Sequence, residues 1–271
     1  MDNLFSVQDQ IVVVTGGLGQ LGRQYTRALL ARGAKVAVFD YAVRPELIAK
    51  HFPDAEANDS LMFVQVDVTD RASIQAAAQQ VIDRWGVPHG LINNAALDSP
   101  PNSPAEENGP FETYPVESWD KIMSVNVKGV MLCCQVIGGA MAKAGRGSII
   151  NISSIYGLVS PNQTIYDYRR QRGETFFKPV AYSASKSALF NLTRYLATYW
   201  GRTGVRVNSL TLAGVFNNQA PEFLDAYTRL MPLGRMANED EYNGTIIYLL
   251  SAASAYMTGS NVVLDGGWTA W

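Results

Sequence analysis

The chain has few charged residues and no excess of either sign. Charged side chains make up 17% of its 271 residues, with 22 basic residues against 24 acidic ones, whereas about 25% is typical. The formal net charge is only -2, so no basic field attracts nucleic acid or an anionic membrane, and neither is predicted as a partner. A surface so poor in charge favours burial of part of it against copies of the same chain.

Cysteines and membrane-length apolar runs are also scarce. Cys133 and Cys134 are adjacent, so they are predicted to be core thiols of a reducing compartment rather than a disulfide, a zinc site or a redox pair. No basic and apolar leader opens the sequence, and the longest apolar stretch, 129–142, is shorter than the roughly 20 residues that span a bilayer. We therefore expect a cytoplasmic protein with no membrane partner and no metal.

Short apolar strands alternate with helical periodicity along the whole chain. Strands are predicted at 11–15, 35–39, 61–66, 90–93, 148–152, 205–210 and 261–264, and long helices at 119–142, 182–200 and 238–250. The alternation predicts an α/β fold with a seven-stranded parallel sheet covered by helices on both faces, in one domain over residues 1–271. A proline-rich loop at 97–115 and a polar segment at 160–179 each follow a strand, at the edge where parallel sheets bind ligands.

A glycine-rich turn follows the first predicted strand. Residues 15–22 read Thr-Gly-Gly-Leu-Gly-Gln-Leu-Gly, between an apolar strand and an amphipathic helix. Glycines at this place permit a tight turn and let backbone N–H groups approach a pyrophosphate. A turn that binds nothing is the less favoured alternative. Dinucleotide contacts are predicted at Gly16, Gly19, Gln20 and Leu21.

Aspartates end the second and third strands. Asp40 lies 18 positions after Gly22, where a carboxylate accepts hydrogen bonds from the adenosine ribose and repels a 2′-phosphate. The nearest downstream cation is Arg44, so NAD is predicted as the cofactor and NADP is disfavoured. Asp67 and Val68 are predicted to contact the adenine. The alternatives are a solvated turn residue at Asp40 and a turn cap at Asp67.

Four polar residues form the candidate catalytic set. Tyr182 and Lys186 lie four positions apart on a predicted helix, so they share one face. A cation near a phenol favours the phenolate and lowers its pKa from about 10, which makes tyrosine a usable base. Ser154 can hydrogen-bond a substrate oxygen, and Asn126 can hold a water or a carbonyl near the lysine. Their alternatives are a turn hydroxyl and a core amide.

These motifs, in this order, resemble the short branch of the short-chain dehydrogenase/reductase family over essentially the whole chain. Further matching segments are Asn93-Asn94-Ala95-Ala96, Asn151-Ile152-Ser153-Ser154, Arg206-Val207-Asn208 and Asp265-Gly266-Gly267. The resemblance implies a Rossmann-type doubly wound sheet, a homotetramer, and interconversion of a secondary alcohol and a ketone.

The resemblance also implies a role for each motif residue. Tyr182 would be the acid/base, Ser154 would position the substrate carbonyl, Lys186 would bind the nicotinamide ribose, and Asn126 would support a proton relay. Asn93 would steady the sheet, while the cofactor channel would be lined by Asn94, Ala95 and Ala96.

Two places depart from the family's pattern. Gln20 stands where the short branch usually has glycine, which puts the pyrophosphate contact in doubt. After the sixth strand the usual Pro-Gly is replaced by Leu212-Ala213. Val215 would still present its backbone to the carboxamide, and Asn217 stands for the usual threonine, so both are predicted nicotinamide contacts.

The prediction of the substrate class rests on an insertion at 160–179. Ser154 and Tyr182 are 28 positions apart, about twice what the resemblance leads one to expect. The insertion is rich in arginine, whose forks suit phosphate and carboxylate; its cations are Arg169, Arg170, Arg172 and Lys178. An anionic, polyhydroxylated small molecule fits best, and the insertion also resembles oxidoreductases of flagellin-glycan sugar synthesis. A lid or subunit contact is the alternative.

Two other functions stay open for the whole chain. A catalytically silent NAD-binding sensor or scaffold would keep the cofactor loops without their chemistry. A nucleotide-sugar epimerase or dehydratase of the longer branch would need a sugar domain for which little chain remains.

Overall fold

One parallel sheet of seven strands organises the computed structural model, which describes residues 3–98 and 104–271. The strands are β1 (Ile11–Thr15), β2 (Lys35–Asp40), β3 (Leu61–Gln65), β4 (Gly90–Asn93), β5 (Gly147–Ser154), β6 (Val205–Leu212) and β7 (Asn261–Leu264). Their order is β3-β2-β1-β4-β5-β6-β7, which confirms the predicted fold class. Because the order reverses between β1 and β4, a crevice opens at the carboxyl ends of these strands.

Helices connect successive strands and cover both faces of the sheet. They are α1 (Gln20–Leu30), α2 (Pro45–His51), α3 (Arg71–Trp85), α4 (Val116–Lys143), α5 (Ile155–Leu158), α6 (Asp167–Arg170), α7 (Val180–Trp200), α8 (Pro221–Thr228) and α9 (Asn243–Leu250). Within α4 the helix widens into two π turns, Ser124–Gly129 and Cys134–Gly138. Short 3-10 turns lie at Ala55–Ala57, Ala105–Asn108, Phe111–Thr113, Gln163–Tyr166, Gly201–Thr203 and Ala252–Ser254.

The core has two layers because successive side chains of a strand point to opposite faces. Val13 packs in the cluster formed with α3, α4 and α7, whereas its neighbours Val12 and Val14 pack in the cluster formed with α1 and α9. A third apolar cluster lies apart from these two and joins the 160–179 insertion, α8 and the C-terminal Trp268.

Helix α4 is the one described segment that is long and apolar enough to cross a membrane by length and composition. Half of its apolar window is buried within the fold, and Cys133, Cys134 and Ile137 belong to the core cluster with α3 and α7. Its apolar character is therefore accounted for by packing against the sheet.

Some predicted bounds differ from the structure. The last long helix begins at Asn243 rather than at residue 238, because Glu241 accepts a hydrogen bond from the Asn238 N–H and pairs with Arg235, which holds this stretch as a turn. The fifth and sixth strands extend to Ser154 and Leu212. Residues 99–103 of the predicted proline-rich loop lie outside the described residues.

Candidate active site

The glycine turn after β1 is shaped by close backbone contacts. Gly16 has φ +63°, and a Cβ there would lie 2.9 Å from Ala95 Cα. A Cβ on Gly22 would lie 2.2 Å from the Gly16 carbonyl oxygen, so only glycine lets α1 begin this close to the turn. Behind the turn, Asn94 Nδ2 donates to the Thr15 and Gly16 carbonyls at 3.0 and 3.1 Å.

The first turn of α1 faces the crevice without a capping side chain. Its N-cap is Gly19, and the first turn has no acidic residue. A helix N-terminus with free N–H groups and a positive dipole end is suited to a phosphate group. The sequence-predicted pyrophosphate contacts therefore lie where an anion can be held.

A cavity of about 1150 Å³ extends from this turn across the ends of β2, β3 and β4. Its walls include the predicted cofactor residues Gly16, Gly19, Gln20, Leu21, Asp40, Asp67, Val68, Asn94, Ala95 and Ala96. The structure thus brings together every cofactor contact predicted in the first half of the chain.

Both aspartates in the wall of this cavity also accept hydrogen bonds from backbone N–H groups. Asp40 accepts hydrogen bonds from the Leu18 and Ala42 N–H groups, each at 3.0 Å. Asp67 accepts from the N–H and hydroxyl of Thr69 at 2.8 and 2.7 Å. The alternative of a turn cap at Asp67 is therefore realised, and it coexists with a place in the cavity wall.

A second cavity, of about 370 Å³, continues from the first at the ends of β5 and β6. The two cavities share wall residues that include Gln20, Leu21, Asn94 and Ala96. Its wall also contains the predicted residues Ser154, Tyr182, Lys186, Val215 and Asn217. A long ligand in the first cavity would therefore reach the candidate catalytic residues.

The three catalytic candidates come from β5 and α7. Ser154 is the last residue of β5, and its Oγ accepts from the Tyr156 N–H at 3.2 Å. Tyr182 and Lys186 lie one turn apart in α7, with Lys186 Nζ 5.8 Å from the Tyr182 ring centroid. Lys186 is buried, and its Nζ donates to the Ile152 carbonyl at 2.9 Å.

Burial shifts the pKa values of both Lys186 and Tyr182. Burial lowers the pKa of Lys186 to about 8, against the opposing charge of Asp98. The pKa of Tyr182 is raised by burial and by Asp98, and a hydrogen bond with Ser154 acts in the opposite direction. Burial dominates the pKa of Tyr182, and the expectation that Lys186 lowers it stays a prediction.

Asn126 lies in the first π turn of α4, and its side chain makes three hydrogen bonds. Its Oδ1 accepts from the Leu97 N–H at 2.7 Å, and its Nδ2 donates to the Leu97 carbonyl and to Ser185 Oγ at 2.9 and 3.0 Å. The amide thus holds the Leu97 carbonyl, and the expectation that it holds a water near Lys186 stays a prediction. The amide also ties the loop after β4 to α7.

A separate row of buried amides crosses the centre of the sheet. Asn93 Nδ2 donates to Asn151 Oδ1 at 2.8 Å, and Asn151 Nδ2 donates to Thr193 Oγ1 at 2.9 Å. The row links β4, β5 and α7, so it fixes the strand end that carries Ser154 relative to the helix that carries Tyr182.

The loop after β6 is held by a residue that the sequence did not indicate. Gln219 Nε2 donates to the Val215 carbonyl, and its Oε1 accepts from the Asn217 N–H, both at 2.8 Å. Gln20 Nε2 donates to the Phe216 carbonyl at 2.9 Å, which joins the start of α1 to this loop. Gln20 therefore links the two sides of the crevice at the position where the family's short branch usually has glycine.

The arginines of the insertion, which the sequence suggests for binding an anionic substrate, are engaged by acidic side chains. Arg169, Arg170 and Arg172 pair with Glu174, Asp167 and Glu222, respectively. None of the three arginines is in the wall of the 370 Å³ cavity, whereas Lys178 is. The arginines are therefore used to fold the insertion, and Lys178 is its one cation at the site.

Aromatic rings join the insertion to the C-terminus along one wall. Neighbouring ring centroids are 4.7 Å apart for Phe176 and Tyr166, 5.9 Å for Tyr166 and Phe223, 5.4 Å for Phe223 and Tyr227, and 4.5 Å for Tyr227 and Trp268. We call this row the aromatic wall. Tyr166, Phe223 and Tyr227 line the cavity directly.

Sequence reasoning missed several cavity residues, chiefly Asp98, Tyr156, Phe223 and Tyr227. The one available signal was position, because Asp98 and Tyr156 follow β4 and β5 at the ligand-binding edge. Within 3–98 and 104–271, no group of three or more metal-ligating side chains gathers.

Comparison with known proteins gives a consistent set of matches. A family profile described as enoyl-(acyl carrier protein) reductase matches residues 19–269. D-threitol dehydrogenase of Mycolicibacterium smegmatis is 31% identical over 98% of this chain and 95% of its own. The 3-alpha-(or 20-beta)-hydroxysteroid dehydrogenase of Mycobacterium bovis is 34% identical over 95% of this chain and 88% of its own.

Solved structures match over the whole fold. A short chain dehydrogenase from Leptospira borgpetersenii with bound NAD+ has a TM-score of 0.84 at 29% identity, covering 99% of this chain and 96% of that one. A gluconate 5-dehydrogenase from Burkholderia cenocepacia in complex with NADP and tartrate has a TM-score of 0.83 at 26% identity, covering 99% and 98%. None of these four names concerns flagellin glycans, so that narrower resemblance stays a prediction.

Proposed function

Because the chain belongs to the short-chain dehydrogenase/reductase family and is an oxidoreductase of CH–OH groups, we propose that it interconverts a secondary alcohol and a ketone with NAD. The substrate is small and polyhydroxylated, and residues 1–271 act as one nucleotide-binding domain. The observation that carries the proposal is the meeting of Ser154, Tyr182 and Lys186 in one cavity that continues into the larger crevice.

The crevice fits a dinucleotide with an unphosphorylated adenosine ribose. The Gly16 to Gly22 turn leaves room where a Cβ would clash, and the uncapped start of α1 suits the pyrophosphate. Asp40 would accept from the ribose hydroxyls, and no ion pair joins its carboxylate to any described cation, so its charge disfavours a 2′-phosphate. Asp67 and Val68 would contact the adenine.

The protein's own groups handle the proton. Bound NAD supplies the acceptor for the hydride that leaves the substrate carbon. In oxidation, the Tyr182 oxygen as phenolate takes the proton of the substrate hydroxyl, while the Ser154 hydroxyl donates to the same oxygen. Reduction reverses both transfers. Because burial raises the pKa of Tyr182, oxidation should accelerate as the pH rises above neutrality.

The size and lining of the cavity support a small polar substrate. About 370 Å³ must hold the nicotinamide end together with the substrate, which is near the lower end of the roughly 300–1,000 Å³ of ligand pockets. The wall contains polar side chains at Asp98, Ser154, Lys178, Asn217 and Gln219. A polyol like that of the threitol relative fits this space better than a steroid.

The test is reduction of NAD followed by absorbance with threitol, galactose, gluconate and a 3-alpha-hydroxysteroid. We expect turnover with the polyhydroxylated compounds and a loss of about 10²–10⁴-fold or more in Tyr182→Phe, the usual effect of removing a general acid/base. Tyr195→Phe, which changes an exposed tyrosine of the same helix, should leave the rate unchanged. Preference for the steroid, or equal loss in both variants, would contradict the proposal.

A further inference from the structure

Lys178 is the cation that the insertion delivers to the active site. Its side chain is only 10% exposed, and it pairs with Asp98, which is 52% exposed. Lys178 Nζ lies 4.8 Å from the Tyr182 ring centroid, closer than the 5.8 Å of Lys186. The pair thus lies beside the group proposed to exchange the substrate's proton.

The position of Lys178 is fixed by its backbone. Its N–H donates to Gln163 Oε1 at 2.9 Å, and its carbonyl accepts from Gln163 Nε2 at 3.2 Å. Gln163 opens the insertion's 3-10 turn, so the two ends of the inserted segment are joined directly behind the ammonium group. The insertion therefore holds Lys178 rigidly at the cavity wall.

Asp98 reaches several groups of the same wall. Burial is the larger cause, but its charge also raises the pKa of the Tyr156, Tyr166 and Tyr182 hydroxyls. A hydrogen bond between the Tyr156 and Tyr166 hydroxyls links two of these groups. Asp98 is also a wall residue of the 370 Å³ cavity, so its charge lies at the proposed substrate site.

An ion pair between a nearly buried lysine and a half-exposed aspartate contributes little to stability, because desolvation of the lysine and solvent screening at the aspartate offset their attraction. Its place in a cavity wall next to a catalytic group is better explained by ligand recognition. An ammonium group only donates hydrogen bonds and a carboxylate only accepts them, so together they match a hydroxyl, which does both. An anionic group would gain from Lys178 but would be repelled by Asp98.

We propose that Asp98 and Lys178 together bind a second hydroxyl of the substrate, on the carbon next to the one that is oxidised. The substrate class is then neutral vicinal diols, including polyols and sugars, rather than hydroxy acids or phosphates. This inference rests on the proposed function and narrows it, and it departs from the earlier expectation of an anionic substrate.

The test compares 2,3-butanediol with 2-butanol and with 3-hydroxybutanoate as NAD-linked substrates. We expect the wild type to prefer the diol at least tenfold in kcat/KM over each of the other two. The double variant Asp98→Asn/Lys178→Met avoids an unpaired buried charge. It should lower kcat/KM for the diol at least ten times more than for the monoalcohol, mainly through KM, because binding shared by ground and transition states is lost.

The matched control is Asp59→Asn/Arg84→Met, which removes an exposed ion pair far from the site and should change neither ratio. Thermal melting and NAD affinity of the double variant establish that it is folded. Equal losses on diol and monoalcohol, or a wild-type preference for 3-hydroxybutanoate, overturn the role of the pair while keeping the dehydrogenase. A wild type that oxidises threitol but none of the three compounds overturns the role of the pair alone, and one that oxidises neither threitol nor any of the three overturns both.

Discussion

Folding lowers the pKa of Lys186, one of the proposed catalytic residues. Burial lowers its pKa from 10.5 to about 8, so the ammonium form is less stable in the folded protein than in the unfolded chain. One pKa unit corresponds to about 1.4 kcal/mol. Lys186→Met should therefore stabilise the protein by roughly 3 kcal/mol at pH 7, less the contribution of the hydrogen bond to the Ile152 carbonyl, while it weakens cofactor binding and turnover.

The sign of its pH dependence follows from linkage. Between about pH 8 and 10.5 the unfolded chain binds more protons at this lysine than the folded one, so wild-type stability rises with pH across this window. The advantage of Lys186→Met should be full below pH 8 and should shrink towards pH 10.5. Thermal melting of both proteins at pH 7 and pH 10 measures this, and a pH-independent difference would contradict the buried ammonium.

Asp40 should set the choice between the two nicotinamide cofactors. The wild type should bind NAD more tightly than NADP, because the Asp40 carboxylate would face the 2′-phosphate of NADP in the proposed binding mode. Asp40→Asn removes the charge but keeps one hydrogen-bond acceptor for the turn. It should reduce the ratio of NAD affinity to NADP affinity at least tenfold, or by about 1.4 kcal/mol. Fluorescence titration measures both affinities. Glu46→Gln, an equal change of charge on exposed α2, is the control, and equal wild-type affinities would refute the assignment.

At the scale of elements, Arg170 is the residue that holds the insertion together. It pairs with Asp167 and also donates to the carbonyls of Gln163 and Phe176. Arg170→Gln leaves these partly buried acceptors without their donor, which costs about 1–3 kcal/mol. We expect faster proteolysis within 160–179 and a several-fold higher KM for the substrate, with NAD affinity nearly unchanged.

Arg172 offers the matched comparison within the same insertion. Its pair with Glu222 is exposed on both sides, and such pairs contribute about 0–1 kcal/mol. Arg172→Gln should leave both the proteolysis rate and the KM near wild type. If the two variants behave alike, the insertion is not held by the contacts of Arg170.

The elements themselves were largely predictable from local patterns. The strands before the glycine turn and before Asn94 are short apolar runs, and the structure has them at the predicted residues. The partner of Lys178 was not predictable, because Asp98 is 80 positions away and their meeting depends on where the loop and insertion fold. The ion pairs of Arg169 and Arg170 were predictable from the sequence, because their partners Glu174 and Asp167 lie only five and three positions away.

The whole molecule is predicted to be a homotetramer, and part of its surface is consistent with that. On α7, Tyr195 and Tyr199 stack on each other while 62% and 65% exposed, and Met131 of α4 is also exposed. Of the two tail tryptophans, Trp268 packs on the aromatic wall, whereas Trp271 is 81% exposed. Large exposed rings favour contact with another subunit.

Light scattering at micromolar concentration should give four times the 29.6 kDa chain mass. Tyr195→Glu/Tyr199→Glu should dissociate the assembly, because it buries two charges in an apolar contact. Lys35→Glu, a charge change on the rim of β2, should not. A wild type that is monomeric under these conditions would contradict the prediction.

The two cavities are lined by different parts of the sequence. Residues 16–125 alone line the larger one, while most of the wall of the smaller one comes after residue 151. The aromatic wall belongs wholly to the later part, so mutations there can accumulate without disturbing the dinucleotide crevice. Because Ser154, Tyr182 and Lys186 belong to the later part and Asp98 to the earlier one, a chimera joined within β5 would exchange the catalytic residues and the aromatic wall together and would keep the recipient's Asp98.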